Sequence, residues 1–379
     1  MKTITQSGQA WRGYERAIWV TGSKVSDFNL SFRVGFALKT PKLYDEQKST
    51  KKARLMGLGL KDAIVHTAAF HQKDENKLLL PNNHWHPGFI TVLAAYVNHH
   101  RIAEENCPLS SPDYMRAINL QGALWGQDQY QQERVNVGRN YSLVTALTNV
   151  EAVDIATSSI NSCVRQLTFP DRDPRDYPRG LTDLTHVIGE LHDNVWSHGK
   201  STGFSFAQRS AVPYTRRQEH YLEFSLADCG LGFLRELRRA GITGIETHRD
   251  AIAWCIQEGH SSKHADLQDD WAQQLPQDFM GGSMFGNGVA VKEKDNNHQG
   301  LGLYHLMKLV KTYNGELHLA TGNVCLEAIG DEVSYTELRN DWPGVAISCR
   351  FKIHQLAIDN DNEENDPQLM EIMRALGGE

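Results

Sequence analysis

The stretch Gly189-Glu190-Leu191-His192-Asp193-Asn194-Val195-Trp196-Ser197-His198-Gly199 constrains this chain more than any other. It follows Leu184, Val187 and Ile188, and with Leu191 and Val195 these apolar residues recur three and four apart, the spacing of one helix face. Glu190 and Asn194 then fall one turn apart, so a carboxylate and a carboxamide project side by side. Such a pair suits a hard cation. The carboxamide oxygen can hold Mg²⁺ while the carboxylate holds or deprotonates a water. Ordinary amphipathic helices carry polar pairs of the same kind on their wet face, so this segment alone leaves both readings open.

Two glycine segments come after it. Tyr221-Leu222-Glu223-Phe224-Ser225-Leu226-Ala227-Asp228-Cys229-Gly230-Leu231-Gly232 reads as a strand ending in Asp-x-Gly-x-Gly. Alternating Leu222, Phe224 and Leu226 make the strand half-buried, and the glycines let the backbone turn and approach a ligand closely. Asp228 at its end can accept a hydrogen bond from an exocyclic amine such as that of adenine. Gln299-Gly300-Leu301-Gly302-Leu303-Tyr304-His305-Leu306-Met307 then sets glycines ahead of a helix with apolar Leu303, Leu306, Met307 and Val310. Free N–H groups at such a helix start can hold phosphate oxygens. Either glycine pair alone is equally a plain turn.

Taken in order, Glu-x-x-x-Asn on a helix, Asp-x-Gly-x-Gly after a strand and Gly-x-Gly-Leu opening a second helix resemble the N, G1 and G2 boxes of the GHKL superfamily. Its Bergerat ATP-binding fold serves gyrases, histidine kinases, MutL proteins, heat-shock chaperones and anti-sigma-factor serine kinases. Gly315-Glu316-Leu317-His318-Leu319 and Pro343-Gly344-Val345-Ala346-Ile347-Ser348-Cys349-Arg350-Phe351 resemble the two closing strands of that fold. The resemblance covers roughly residues 140–357 and is nearest to stand-alone bacterial ATPases and the anti-sigma-factor kinases. It implies an α+β, two-layer sandwich that binds ATP with Mg²⁺.

The resemblance also implies roles. Asn194 would coordinate a Mg²⁺ bridging the phosphates. Asp228 would accept from the adenine amine, with Gly230 and Gly232 passing close to base and ribose. Gly300, Leu301 and Gly302, followed by Leu303, would present backbone N–H groups to the phosphates. Glu190 would be the general base, and a protonated His198 would stabilise phosphate charge. There are departures. Val345 follows Gly344 where many relatives carry a threonine that supports the adenine site, which puts the water network at the base in question. The phosphoacceptor-histidine helix of sensor kinases is not found, nor the transducer domain and lysine that follow the fold in gyrase-type ATPases. Three classes stay open: a cytoplasmic ATPase whose nucleotide state switches partner binding, a serine kinase acting on a STAS-type partner, and a nucleotide-binding scaffold without turnover. Glu190 favours the first two, because a scaffold needs no base. Homodimerisation is common among relatives.

At 379 residues the chain has room for two domains. Leu78-Leu79-Leu80 reads as a buried strand, Pro87 to Val97 as a helix begun near its proline, and Asp113 to Ile118 as the start of another. This suggests a smaller α/β domain over residues 1–135, faintly similar to STAS-like domains, with a boundary in the polar stretch 127–140. Within it Phe32 to Leu38 suggests a strand. Lys48, Lys51, Lys52 and Arg54 read as a solvated basic loop, and Met56-Gly57-Leu58-Gly59-Leu60 mimics the later glycine box without its strand and aspartate. Val153 to Leu167 outline a helix leading into residues 140–357. A lid over ATP is expected at about 244–299, with Ala251 to Ile256 helical, Gly281 to Gly288 rich in glycine, and Lys263 and His298 as phosphate contacts. The tail 358–379 is acidic from Asp359 to Asp366, and its Leu369, Ile372, Met373 and Leu376 suggest a short docking helix.

Composition trims the alternatives. A net charge of −7 speaks against coating nucleic acid. There is no apolar run long enough for a membrane span, and the N-terminus is polar. Six scattered cysteines without a Cys-x-x-Cys pair suggest free thiols in a reducing cytosol. His84, His86, His99 and His100 invite a metal reading, but without a carboxylate partner or fixed spacing they read as surface or core residues.

Overall fold

A computed structural model describes residues 59–257 and 302–358, apart from 74–76, 83, 110, 214 and 216–218. Its first helices are α1 (Leu60–Lys73), α2 (Pro87–His99), α3 (Pro112–Ala117) and α4 (Leu120–Trp125). Strand β1 (Thr145–Leu147), helices α5 (Val150–Thr168) and α6 (Arg179–Asn194), and strands β2 (Gly203–Ala211) and β3 (His220–Asp228) follow. Helices α7 (Gly232–Arg239), α8 (His248–Cys255) and α9 (Gly302–Thr312), strands β4 (Glu316–Ile329) and β5 (Glu332–Lys352), and the single turn α10 (Ile353–Leu356) complete the order. The expected strand at Phe32 to Leu38, the basic loop, the mimic box up to Leu58 and the acidic tail beyond Ile358 lie outside the described residues.

The strands form one five-stranded antiparallel sheet in the order β1-β2-β3-β5-β4, giving a mixed α/β arrangement. β3 explains why helices flank it twice. Leu222, Phe224 and Leu226 point to one side, and Glu223, Ser225 and Ala227 to the other, and all six are buried. On the first side the amphipathic helices α5, α6 and α9 press Val153, Ile160, Leu184, Ile188, Leu306 and Val310 onto the strand residues. On the second side lie α1 and α2, sharing a core with Phe204, Phe206, Ala227, Ala320, Trp342 and Ala346.

Small residues where α2 crosses the second side, Ser225 and Ser348 among them, are what admit the helix. Every residue from Pro87 to Val97 is buried, the mark of a helix enclosed all round. Gly88 packs against the Ser348 side chain, where a Cβ would come within 3.0 Å, and the Thr91 hydroxyl meets that of Ser225. Here the structure departs from the sequence expectations. Leu78 to Leu80 is irregular chain, not a strand, and the regular elements described between residues 59 and 125 are helices. The expected boundary at 127–140 does not separate compact units, since Lys51–Glu379 forms one. A helix that supplies half of the sheet's cover cannot sit in a domain of its own.

Helix starts follow the chain's local chemistry. Pro87 opens α2 as expected. Asn149 caps α5, its side-chain oxygen accepting from the Ala152 N–H at 2.8 Å. Asn149→Ala is expected to cost about 1 kcal/mol, read as a lower denaturation midpoint with an unchanged slope.

The two expected closing strands pair, Glu316 to Ala320 against Arg350 to Ala346, but the chain between them was not anticipated. The Gly330 N–H donates to the Gly315 carbonyl oxygen at 2.9 Å. A straight strand would hold these residues roughly 50 Å apart at ~3.3 Å per residue. β4 therefore doubles back, and the register breaks on either side of Gly322, whose φ is +54°. The returning half, Val324 to Ile329, pairs with Glu337 to Glu332 and is tied to α1 by a Lys61–Glu327 ion pair.

Candidate functional site

Asp228 ends β3 and is only 3% exposed. Its carboxyl accepts from the Gly230 N–H at 2.7 Å. Burial pushes it up to about 6, against the pull of the Gly230 and Val345 N–H groups. Three backbone segments close around it because each carries a glycine. A Cβ on Gly199 would lie 3.2 Å from Asp228 Oδ1, one on Gly344 would lie 2.5 Å from the same atom, and one on Gly230 would lie 2.1 Å from the Gly199 carbonyl oxygen. The last turn of α6 widens into a π-helical turn, Val195–Gly199, and this irregularity delivers Gly199 to the carboxylate. The Leu231 N–H closes the corner on Gly199 O at 3.2 Å.

Two side chains that the sequence did not single out hold this corner. The Thr321 hydroxyl donates to Gly344 O at 2.8 Å and is fully buried. It therefore places a buried hydroxyl of the neighbouring strand beside Gly344 and Val345. Arg235 on α7 donates to Leu231 O, Gly230 O and Pro343 O, joining the loop after β3 to the middle of β5. Gly232 takes a φ of +67°, so any other residue there would be strained. Glycine beside proline inside a strand pattern was the available signal for Gly344; nothing local marks Thr321 or Arg235.

The carboxylate–carboxamide pair is not on a wet face. Glu190 is 4% exposed, whereas Asn194, one turn on, is half-buried. Glu190 rests on the first residue of α9: a Cβ on Gly302 would come 3.0 Å from its Oε2. Among the described residues nothing donates a hydrogen bond to that oxygen. His186 Nδ1 stands 3.7 Å from Oε1, and His305 Nδ1 stands 3.7 Å from Oε2. Between the two clusters, His192 is a neutral strut, its ring nitrogens each 2.8 Å from Thr157 and Ser205 hydroxyls and its pKa lowered by burial to about 3.

Helix α6 and its π-helical turn thus touch the other two stretches at separate points, Gly199 at Asp228 and Glu190 at Gly302, and Gly302 and Leu303 are buried at the start of α9. Gly300, Leu301, Lys263, His298 and the glycine run Gly281 to Gly288 lie outside the described residues, as does the side chain of His198. Of the expected lid, α8 is described, and it is helical as anticipated. The histidines near α2 are otherwise engaged: His86 Nδ1 lies 2.9 Å from Glu223 Oε2, whose other oxygen accepts from Ser210. Among the described residues no group of three or more His, Cys, Asp or Glu could hold a metal ion, and no helix is long and apolar enough to cross a membrane. All six cysteines are free. No protein-family model, curated protein or solved structure matches the chain.

Proposed function

We propose that the chain binds MgATP in a Bergerat-type pocket and that ATP turnover there switches its association with a protein partner. The observation that carries this reading is the Asp228 cradle. A buried carboxylate is costly unless something uses it, and here backbone from three segments reaches it at Gly199, Gly230 and Gly344. A carboxylate so placed suits the amine edge of a purine, with bare backbone against the ring. Glu190 supports turnover over passive binding, because its unpartnered oxygen adjoins the helix start where Gly302 would face phosphates.

The donor set suits magnesium as phosphate-bound cation. Asn194 would offer one carboxamide oxygen, and Mg²⁺ commonly takes one or two protein oxygens with phosphates and water completing its shell, neutralising phosphate charge. Glu190 would take the proton of the attacking water, or of a partner's serine hydroxyl in the kinase alternative. Calorimetric titration with MgATP, beside ADP formation, on wild type, Asp228→Asn and Glu190→Ala tests this. The expected result is binding and turnover by wild type, no binding by Asp228→Asn, and binding without turnover by Glu190→Ala. Binding without turnover by wild type would favour the scaffold; phosphate appearing on a partner serine would favour the kinase. A folded wild type that ignores MgATP would end the reading.

A further inference from the structure

We propose that His305 is the positioning residue for Glu190, orienting the base from the helix that would carry the phosphates. The inference rests on the reading of Glu190 as the base of an ATP site. A general base must present its lone pair within about 3.2 Å of the proton it takes, so a carboxylate free to rotate wastes most of its encounters. Glu190 is 4% exposed, and one of its oxygens accepts nothing from the described residues. His305 Nδ1 stands 3.7 Å from this oxygen, just outside hydrogen-bond reach.

His305 is placed for this by chain geometry. It stands three residues after Gly302, on the same face of α9 as the glycine against which Glu190 lies. Its side chain is 37% exposed, so a small χ rotation closes the gap without disturbing the core. His186 faces the other oxygen from within α6 and moves with the base; His305 comes from a different element. Any shift of α9 on engaging phosphate therefore changes the distance from Nδ1 to Oε2, coupling base orientation to occupancy.

The test compares wild type with His305→Phe, which keeps the ring and removes its nitrogens, and His305→Asn, whose amide nitrogen falls near the place of Nδ1. Calorimetry gives Kd for MgATP, and ADP formation at saturating MgATP gives kcat. All three proteins are expected to share one Kd. His305→Phe should lose roughly tenfold or more in kcat, and His305→Asn should recover most of it. Equal kcat in His305→Phe and wild type, or no recovery by Asn, would overturn the proposal. So would a rise in Kd matching the loss in kcat, or a wild type that binds MgATP without making ADP. A wild type that does not bind MgATP would instead remove the underlying reading of the site.

Discussion

Asp228→Asn is expected to gain stability over the wild type as pH rises, even though the proposed function has it lose nucleotide binding. Burial lifts the Asp228 carboxyl from its ordinary 3.8 to about 6, so the folded chain holds this proton more tightly than the unfolded one. The stability tied to the proton is fully present below about pH 4 and is lost as pH climbs through about 6. Two units amount to about 3 kcal/mol. Asparagine does not titrate. His192 works in the opposite sense: its lowered pKa makes its contribution complete above 6.5 and lost as pH falls toward 3. The wild-type curve therefore mixes the two, and the difference between variant and wild type isolates Asp228. Thermal unfolding of ligand-free protein should show that difference shifting in the variant's favour by up to about 3 kcal/mol between about pH 4 and about pH 8. A difference that stays flat would mean the carboxyl titrates normally and the cradle is wetter than its geometry implies.

Gly344→Ala should be among the most damaging single methyl groups at the site. Its Cβ would lie 2.3 Å from Asp228 O, 2.5 Å from Asp228 Oδ1 and 2.6 Å from the Gly230 nitrogen. Two of these are backbone atoms of strands and turns already fixed by pairing, so they cannot step aside as a flexible side chain would. Overpacking commonly costs 1–3 kcal/mol, and a clash on this scale belongs at about 3 kcal/mol. Displacing Gly344 also draws the Val345 N–H away from the carboxylate, so on the proposed function nucleotide affinity should fall with stability. Gly189→Ala is the control. It is a helical position whose Cβ would meet only Thr157 Cγ2 at an ordinary 3.5 Å, so alanine should stabilise it by about 0.8 kcal/mol. Denaturation midpoints moving in opposite directions would bear out both; a tolerated alanine at 344 would show that the β3–β5 corner is looser than described.

The parts of this molecule that were legible in the sequence are those governed by local period. Leu184, Val187, Ile188 and Leu191 marked α6 by their spacing, and Leu222, Phe224 and Leu226 marked β3. Asp228 and Glu190 could be singled out because their neighbours in sequence set their context. The rest depends on chain segments far apart in sequence. Leu78 to Leu80 looked like a buried strand because three apolar residues carry no period, and periodicity cannot tell a strand from an irregular segment that buries Leu78 and exposes Leu79. α2 was read correctly as a helix but assigned to another domain, since nothing in its own residues says that Ser225 and Ser348 will make room for it. Gly199, Thr321, Arg235 and His305 reach the site through tertiary placement, and no spacing rule points to them.

The doubled β4 bears on how copies of this protein can meet. Open sheet borders invite a strand from another chain, and that is how many proteins clump or add a partner. Here one border is β1, only three residues long. The other is β4, which folds back on itself so that Gly330 returns to Gly315. A sheet ended in this way offers little ladder to a newcomer. Self-association would therefore run through helix faces and loops, leaving the backbone hydrogen bonds of the sheet out of the contact.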